Sequence, residues 1–279
     1  MSMRVPTVLT IAGSDPSGGA GIQGDLKTFA AFHVHGCAVP TALTAQNSLG
    51  VQAVFPVPSD FVRLQLDVLF DDVEIHAVKI GMLADASVVR AVAGVLRRRA
   101  PRHVVLDPVL SATAGGALLE SAGLDALRDE LLPLVTLVTP NAAEAGMLLR
   151  RAAPDTESDA LLAARDLCDA GAHAALVTGG HLQTGDACVD VLYERDGGAT
   201  RGFRAQRVSG RGAHGTGCAL SSAIASLLAL GVPLAESCGK AQQFVAEAMQ
   251  VNHDHHELEV GAGAPPLHAL HRMWRCDRG

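Results

Sequence analysis

The chain has 279 residues, 48% of them hydrophobic and 18% charged. That is enough apolar side chain for one large α/β domain or two small ones, and it excludes extensive disorder. The formal charge of −7, with no basic run beyond Arg97-Arg98-Arg99, excludes a broad nucleic-acid face. That triplet reads as a helix end, where cations suit the macrodipole. The six cysteines, at 37, 168, 188, 218, 238 and 276, form no C-x-x-C pair, which argues against a disulfide framework or a zinc site. The N-terminus lacks the pattern of a signal peptide, and no apolar run reaches about 18 residues, so the expectation is a cytoplasmic protein with no membrane partner.

In chain order, V-P-T-V-L-T-I-A-G reads as a buried strand ending in a glycine turn, S-D-P-S-G-G-A-G as a loop, and I-Q-G-D-L-K-T-F-A-A-F as a helix. C-A-V-P-T-A-L is a second strand, in which Pro40 argues against a central, fully paired position. Residues 59–72 open on the N-cap types Ser59-Asp60 and predict a helix with Phe61, Leu64 and Val68 on one face. H-A-V-K-I-G is a strand, and Val88, Val92, Val95 and Leu96 mark an amphipathic helix. H-V-V-L-D-P-V, L-V-T-L-V-T-P-N and A-A-L-V-T-G-G-H are further strands. Residues 188–208 read as a hairpin turning at Asp196-Gly197-Gly198, and helices follow over about 215–230 and 234–252.

This alternation, without linker or repeat, predicts a single domain over 1–279 with a mainly parallel sheet and helices on both faces. Ligands bind beyond the C-terminal ends of such strands. Gly13-Ser14-Asp15, Lys79-Ile80-Gly81-Met82, Asp107-Pro108, Thr139-Pro140-Asn141 and Thr178-Gly179-Gly180-His181 all fall at those ends. Any one alone is an ordinary turn; five together favour a site. Gly215-Thr216-Gly217-Cys218 then precedes an apolar helix, and free N–H groups at a helix N-terminus attract an anion. Taken alone, that pattern equally suits a plain glycine turn.

T-I-A-G-S-D-P-S-G-G-A-G-I-Q-G-D-L-K-T-F, T-A-L-T-A-Q-N-S-L-G-V, K-I-G-M-L, V-L-D-P-V, V-T-P-N-A-A-E-A and H-G-T-G-C-A-L-S-S-A-I-A resemble, in this order, the motifs of hydroxymethylpyrimidine and phosphomethylpyrimidine kinases. These are thiamine-biosynthesis enzymes of the ribokinase-like superfamily. The resemblance implies a three-layer α/β/α fold and phosphorylation of 4-amino-5-hydroxymethyl-2-methylpyrimidine and then its monophosphate, with ATP and Mg²⁺ as cofactors. It also implies a homodimer. A pyridoxal-type vitamin kinase is the alternative substrate reading, and a pyrimidine-binding relative that has lost phosphoryl transfer is the non-catalytic one.

Carried over by position, Gly13, Ala20, Asp25, Gln46, Met82 and Val109 match the pyrimidine pocket. Gln46 offers the donor–acceptor pair an aminopyrimidine edge needs, and Met82 and Val109 offer apolar contact. Gly215, Thr216 and Gly217 match an anion hole. Cys218 stands where many superfamily members carry a catalytic aspartate, and a thiol at a helix N-terminus is expected to have a lowered pKa. Asp107 and Glu144 match acidic positions near Mg²⁺, and Asn141, Thr178 and Gly180 match the ATP-phosphate side.

The departures cluster on that side. Thr178 and Gln242 stand where the family carries lysine, while Thr113, Ala114 and Gly116 replace its lysine, serine and aspartate. Arg211 is the candidate compensating cation. N-H-D-H-H-E at 252–257 reads as a solvated helix end rather than a metal site, Lys240 as surface, and Lys79 either as orienting loops near the rim or as purely structural.

Overall fold

The computed structural model describes residues 5–111, 118–180, 182, 187–208, 213–255 and 260–274. The expectations placed on Thr113, Ala114, Gly116, His181, Arg211 and the His256-Glu257 pair lie outside these described residues.

The strands are β1 (Thr7–Ser14), β2 (His35–Asn47), β3 (Gly50–Pro56), β4 (Ala77–Ile80), β5 (Val104–Leu106), β6 (Leu137–Val138), β7 (Ala174–Val177), β8 (Ala187–Glu194) and β9 (Ala199–Gln206). They form one sheet in the order β3-β2-β1-β4-β5-β6-β7-β8-β9. The run from β2 to β7 is parallel, and β3, β8 and β9 add antiparallel edges. The order reverses direction at β1, which places a crevice at the C-terminal ends of β1 and β4. Pro40 lies in the part of β2 that pairs with β1 alone, since β3 joins only from Ala42 onward; it is not in a fully paired position, as its missing N–H predicts. The ladder accommodates it by a register slip, with Ala12 opposite Pro40 and Gly13 opposite Ala42. The partner strand β3 was not anticipated.

Among the described residues the α-helices are α1 (Gly21–Ala31), α2 (Ser59–Asp72), α3 (Ala86–Arg99), α4 (Ser121–Ala126), α5 (Ala142–Leu149), α6 (Glu157–Asp169), α7 (Thr216–Ala229), α8 (Leu234–Asp254) and the short α9 (His271–Trp274). Strand side chains alternate between two cores. Leu9, Ile11, Val78, Ile80 and Leu106 pack under Val62, Leu66, Val88, Val92 and Leu167 on one face. Val8, Ala77, Val105 and Leu176 pack under Phe29, Ile224 and Phe244 on the other. Each large side chain so enclosed contributes about 1.5–3 kcal/mol of transfer free energy. The three layers follow from this two-sided burial.

On α2 the buried stripe is Val62 and Leu66, while Phe61, Leu64 and Val68 are exposed. The helix carries apolar residues on two stripes, and spacing alone selected the wrong one. α3 ends at Arg99 as expected, capped at its start by Asp85, with Arg98 and Arg99 paired to Asp67 and Asp71. The hairpin turns at Gly197 and Gly198 as anticipated. α7 and α8 match the two expected C-terminal helices within two residues at each end. Lys240 is a surface residue paired with Glu236.

Candidate active site

Five parallel strands deliver their C-terminal residues to one rim, as the sequence predicts. The loop after β1 is folded around Asp15, whose Oδ1 accepts from Ser17 N and Oγ and whose Oδ2 accepts from Ala20 N at 2.8 Å. Burial opposes its charge, but hydrogen bonds from His214, Ser17 and Ala20 outweigh that and hold the Asp15 carboxyl at about 2. His214 Nε2 sits 2.9 Å from Asp15 Oδ2 and 3.2 Å from the Gln46 amide nitrogen. His214 therefore joins the β1 loop, the end of β2 and the approach to α7. A Cβ on Gly19 would meet the His214 ring at 2.6 Å, so this junction admits only glycine there. Sequence reasoning quoted His214 within its motif but gave it no role. The double glycine of the β1 loop was the available signal.

Gly13 and Met82 come together as expected: a Cβ on Gly13 would stand 3.1 Å from Met82 Sδ. Thr41 Oγ1 donates to Met82 O at 2.6 Å and fixes the turn after β4. Val109 is half-buried just after β5, its N–H donating to Asp107 O. Ala20 is half-buried immediately before α1.

Asp25 departs from its assigned role. It has no exposed surface, and its carboxylate is taken by Thr10 Oγ1 at 2.6 Å, Ser222 Oγ at 2.7 Å and Lys79 Nζ at 3.0 Å. Fully enclosed, its carboxylate is spent on Thr10, Ser222 and Lys79 and offers no exposed surface to a ligand. Lys79 is also wholly enclosed, not at the rim, with Asp107 Oδ2 3.8 Å from its Nζ. Burial would lower its pKa, yet the charges of Asp25, Cys218 and Asp107 outweigh this and raise it.

Gly215 immediately precedes α7, its φ of +88° suits glycine, and no side chain caps the helix. A Cβ on Gly215 would stand 2.0 Å from Gly19 O. The N–H groups of Thr216, Gly217 and Cys218 thus open the helix without a capping side chain, the arrangement that receives an anion. A Cβ on Gly217 would be 3.9 Å from both Asp107 oxygens, so the helix mouth lies over that carboxylate. The lowered pKa expected for Cys218 is reversed. Burial pushes the thiol up to about 12, Lys79 pulls against it, and Asp107 and Asp25 reinforce it. Burial, reinforced by the two carboxylates, overrides the favourable end of the helix dipole.

Asn141 and Glu144 form a capping box at the start of α5: Glu144 N donates to Asn141 Oδ1 at 3.0 Å, and Asn141 N donates to Glu144 Oε2 at 2.9 Å. Burial, then the charge of Asp107, drives Glu144 up to about 8. Burial likewise raises Asp107, against the pull of Lys79. Two carboxylates that each resist ionisation, one raised by the other, form an oxygen-only pair suited to a divalent cation. Mg²⁺ keeps several waters and accepts such a two-carboxylate site. Among the described residues no set of three or more His, Cys, Asp and Glu side chains gathers as a metal centre elsewhere, the 252–255 stretch included.

Just after β7, Thr178 bridges to Asn141, and its N–H donates to Pro140 O at 2.9 Å. Gly180 is exposed beside it. Gln242 is buried, donating from Nε2 to Asp190 Oδ2 at 3.0 Å and to Phe203 O at 2.9 Å. Asp190 Oδ1 in turn accepts from Gly179 N at 2.8 Å. The neutral side chain at 242 therefore secures the strand-end loop from behind.

Sheet order, rim and uncapped helix mouth together define a ribokinase-like small-molecule kinase. The family model described as phosphomethylpyrimidine kinase matches residues 15–268. A hydroxymethylpyrimidine/phosphomethylpyrimidine kinase of Rhizobium meliloti is 46% identical over 267 residues, covering 96% of this chain and 98% of that protein. The crystal structure of an ADP complex of Bacillus subtilis pyridoxal kinase superposes with a TM-score of 0.80 at 34% identity, over 88% of this chain and 92% of that one. A phosphomethylpyrimidine kinase structure from Clostridium difficile gives 0.77 at 33% identity, over 88% and 100%. The chain belongs to the phosphomethylpyrimidine kinase family.

Proposed function

We propose that this protein transfers the γ-phosphoryl group of ATP to the hydroxymethyl oxygen of 4-amino-5-hydroxymethyl-2-methylpyrimidine. A second transfer, to the resulting monophosphate, completes its step in thiamine diphosphate biosynthesis. The observation that carries this reading is the link from Gln46 through His214 to the N-terminus of α7, which brings a side-chain amide close to an uncapped helix mouth. Family membership supports the same substrate class.

Gln46 pairs with the aminopyrimidine edge, and Met82, Val109, Gly13 and Ala20 wall the ring. Gly215, Thr216 and Gly217 receive the charge on the transferring group. Cys218 takes the hydroxyl proton, and because burial keeps the thiol protonated, that step is favoured by rising pH. Asp107 and Glu144 hold Mg²⁺, which supplies charge neutralisation at the phosphates when bound. Asn141, Thr178 and Gly180 flank the nucleotide phosphates, and Arg211 is the candidate replacement for the family's lysine.

The protein acts as one domain over 1–279, in the cytoplasm, as a homodimer, and the exposed Phe61, Leu64 and Val68 of α2 are apolar surface that a second copy can cover. Among the described residues no helix is long and apolar enough to cross a membrane.

Pyridoxal is the second reading, favoured by the 0.80 TM-score of the pyridoxal kinase structure. Steady-state ADP release with each acceptor separates the two. The proposal requires a higher kcat/KM for the pyrimidine, and a higher value for pyridoxal overturns it.

A further inference from the structure

A primary amide presents oxygen on one side and nitrogen on the other with nearly the same shape, so its neighbours' protons decide which is which. Two neighbours flank the Gln46 amide. His214 Nε2 lies 3.2 Å from one terminal atom, and Thr44 Oγ1 lies 3.2 Å from the other. Thr44 has a single hydroxyl proton, which it donates to Ser14 O at 2.8 Å. Towards Gln46 it is therefore an acceptor.

His214 Nε2 faces Asp15 Oδ2 at 2.9 Å. An ionised carboxylate only accepts, and Asp15 is kept ionised by the N–H groups of Ser17 and Ala20 and the Ser17 hydroxyl. The proton consequently resides on His214 Nε2. Shared between Asp15 and Gln46, that proton makes His214 a donor towards the amide. Both neighbours impose one orientation, the amide turned over from its nitrogen-towards-His214 and oxygen-towards-Thr44 assignment: the oxygen towards His214 and the nitrogen towards Thr44.

We propose that His214, held by Asp15, fixes the direction of the Gln46 amide and thereby makes the pocket select a 4-aminopyrimidine over the corresponding 4-oxopyrimidine. This rests on the reading that Gln46 pairs with the pyrimidine edge. The amide's remaining acceptor and donor match the 4-amino donor beside the N3 acceptor. The 4-oxo ring presents the reverse, a carbonyl acceptor beside an N3–H donor. The ring cannot turn over, because its hydroxymethyl group has to face Cys218. The amide cannot turn without setting N–H against His214 Nε2–H and C=O against the Thr44 lone pairs. His214 is thus a positioning residue whose effect passes through Gln46.

Calorimetric titration of the wild type, His214→Leu, Thr44→Val and Gln46→Leu with 4-amino-5-hydroxymethyl-2-methylpyrimidine and with its 4-oxo analogue tests this. The wild type should prefer the amino ring by roughly 10²-fold, because the oxo ring leaves the amide's donor and acceptor unpaired. His214→Leu and Thr44→Val should each cut that ratio by about tenfold, because either releases the amide to turn. Thr44→Val decides the matter if a thermal melt shows His214→Leu unfolded. Equal weakening of both ligands with the ratio intact in the folded variants overturns the inference while leaving Gln46 in the pocket. Unchanged amino-ring affinity in Gln46→Leu overturns the pocket reading itself.

Discussion

Lys79 Nζ lies 3.0 Å from Asp25 Oδ1, with neither side chain exposed, so the cation under the rim is bound by the fold and not by the ligand. Asp107 shares it at 3.8 Å, and Thr10 and Ser222 supply the remaining donors to Asp25. This arrangement sets the local field in which Cys218, Asp107 and Glu144 titrate.

Lys79→Met should destabilise the protein by about 3–5 kcal/mol, since it leaves two carboxylates buried without their cation. Urea unfolding of both proteins at pH 7 measures it. A loss below about 1 kcal/mol would show that Asp25 and Asp107 find other compensation.

Glu144 gives the fold a pH signature. Its folded pKa is raised to about 8, so the folded state retains a proton that the unfolded chain releases near its ordinary value of 4.5. Stability attributable to Glu144 is therefore greatest at low pH, falls as pH rises from about 4.5 to about 8, and then levels. Thermal melts across pH 5–8 without divalent ions should show a smaller decline for Glu144→Gln than for the wild type, and Mg²⁺ should reduce the wild-type decline. Parallel curves for the two proteins, with no effect of Mg²⁺, would contradict the proposed acidic pair.

The thiol separates two roles. Cys218→Ala should lower kcat by roughly 10²–10⁴-fold with pyrimidine affinity nearly unchanged, and Cys218→Asp should restore part of it. With the thiol pushed up to about 12, the wild-type rate should keep climbing above pH 8, whereas the aspartate variant should already be level. Normal turnover by the alanine variant would reduce Cys218 to a space-filling residue.

Much of this site was legible because glycine, proline and short polar residues at strand ends have few structural substitutes. Gly215, Asp107 and Asn141 all stand where the motifs placed them. What the sequence withheld was depth. Asp25 and Lys79 satisfy each other with no exposed surface, and no local pattern separates a buried ion pair from a rim pair. Cys218 was misjudged for the same reason, since burial, and after it charges distant in sequence, sets its pKa. The α2 face failed because Phe61, Leu64 and Val68 keep helical spacing as well as Val62 and Leu66 do. Gln242 looked like a lost phosphate contact, but its partner Asp190 is visible only once α8 packs near β8.

Thr178 is half-buried just after β7, in a backbone bridge with Asn141. Thr178→Lys restores the family's cation beside groups that redistribute negative charge during transfer. It should raise kcat/KM for ATP about tenfold, equivalent to ~1.4 kcal/mol, with pyrimidine affinity unchanged. Steady-state kinetics against ATP at saturating pyrimidine would decide it. No gain over an already fast wild type would mean that another cation, Arg211 first, fills the role.

The most direct measurement incubates the purified protein with 4-amino-5-hydroxymethyl-2-methylpyrimidine, ATP and Mg²⁺ and follows the products by mass spectrometry. The account predicts the monophosphate first and the diphosphate after it, each formed with an equivalent of ADP. Saturable binding of the pyrimidine with neither phosphate formed would contradict it and leave a binding protein in place of a kinase.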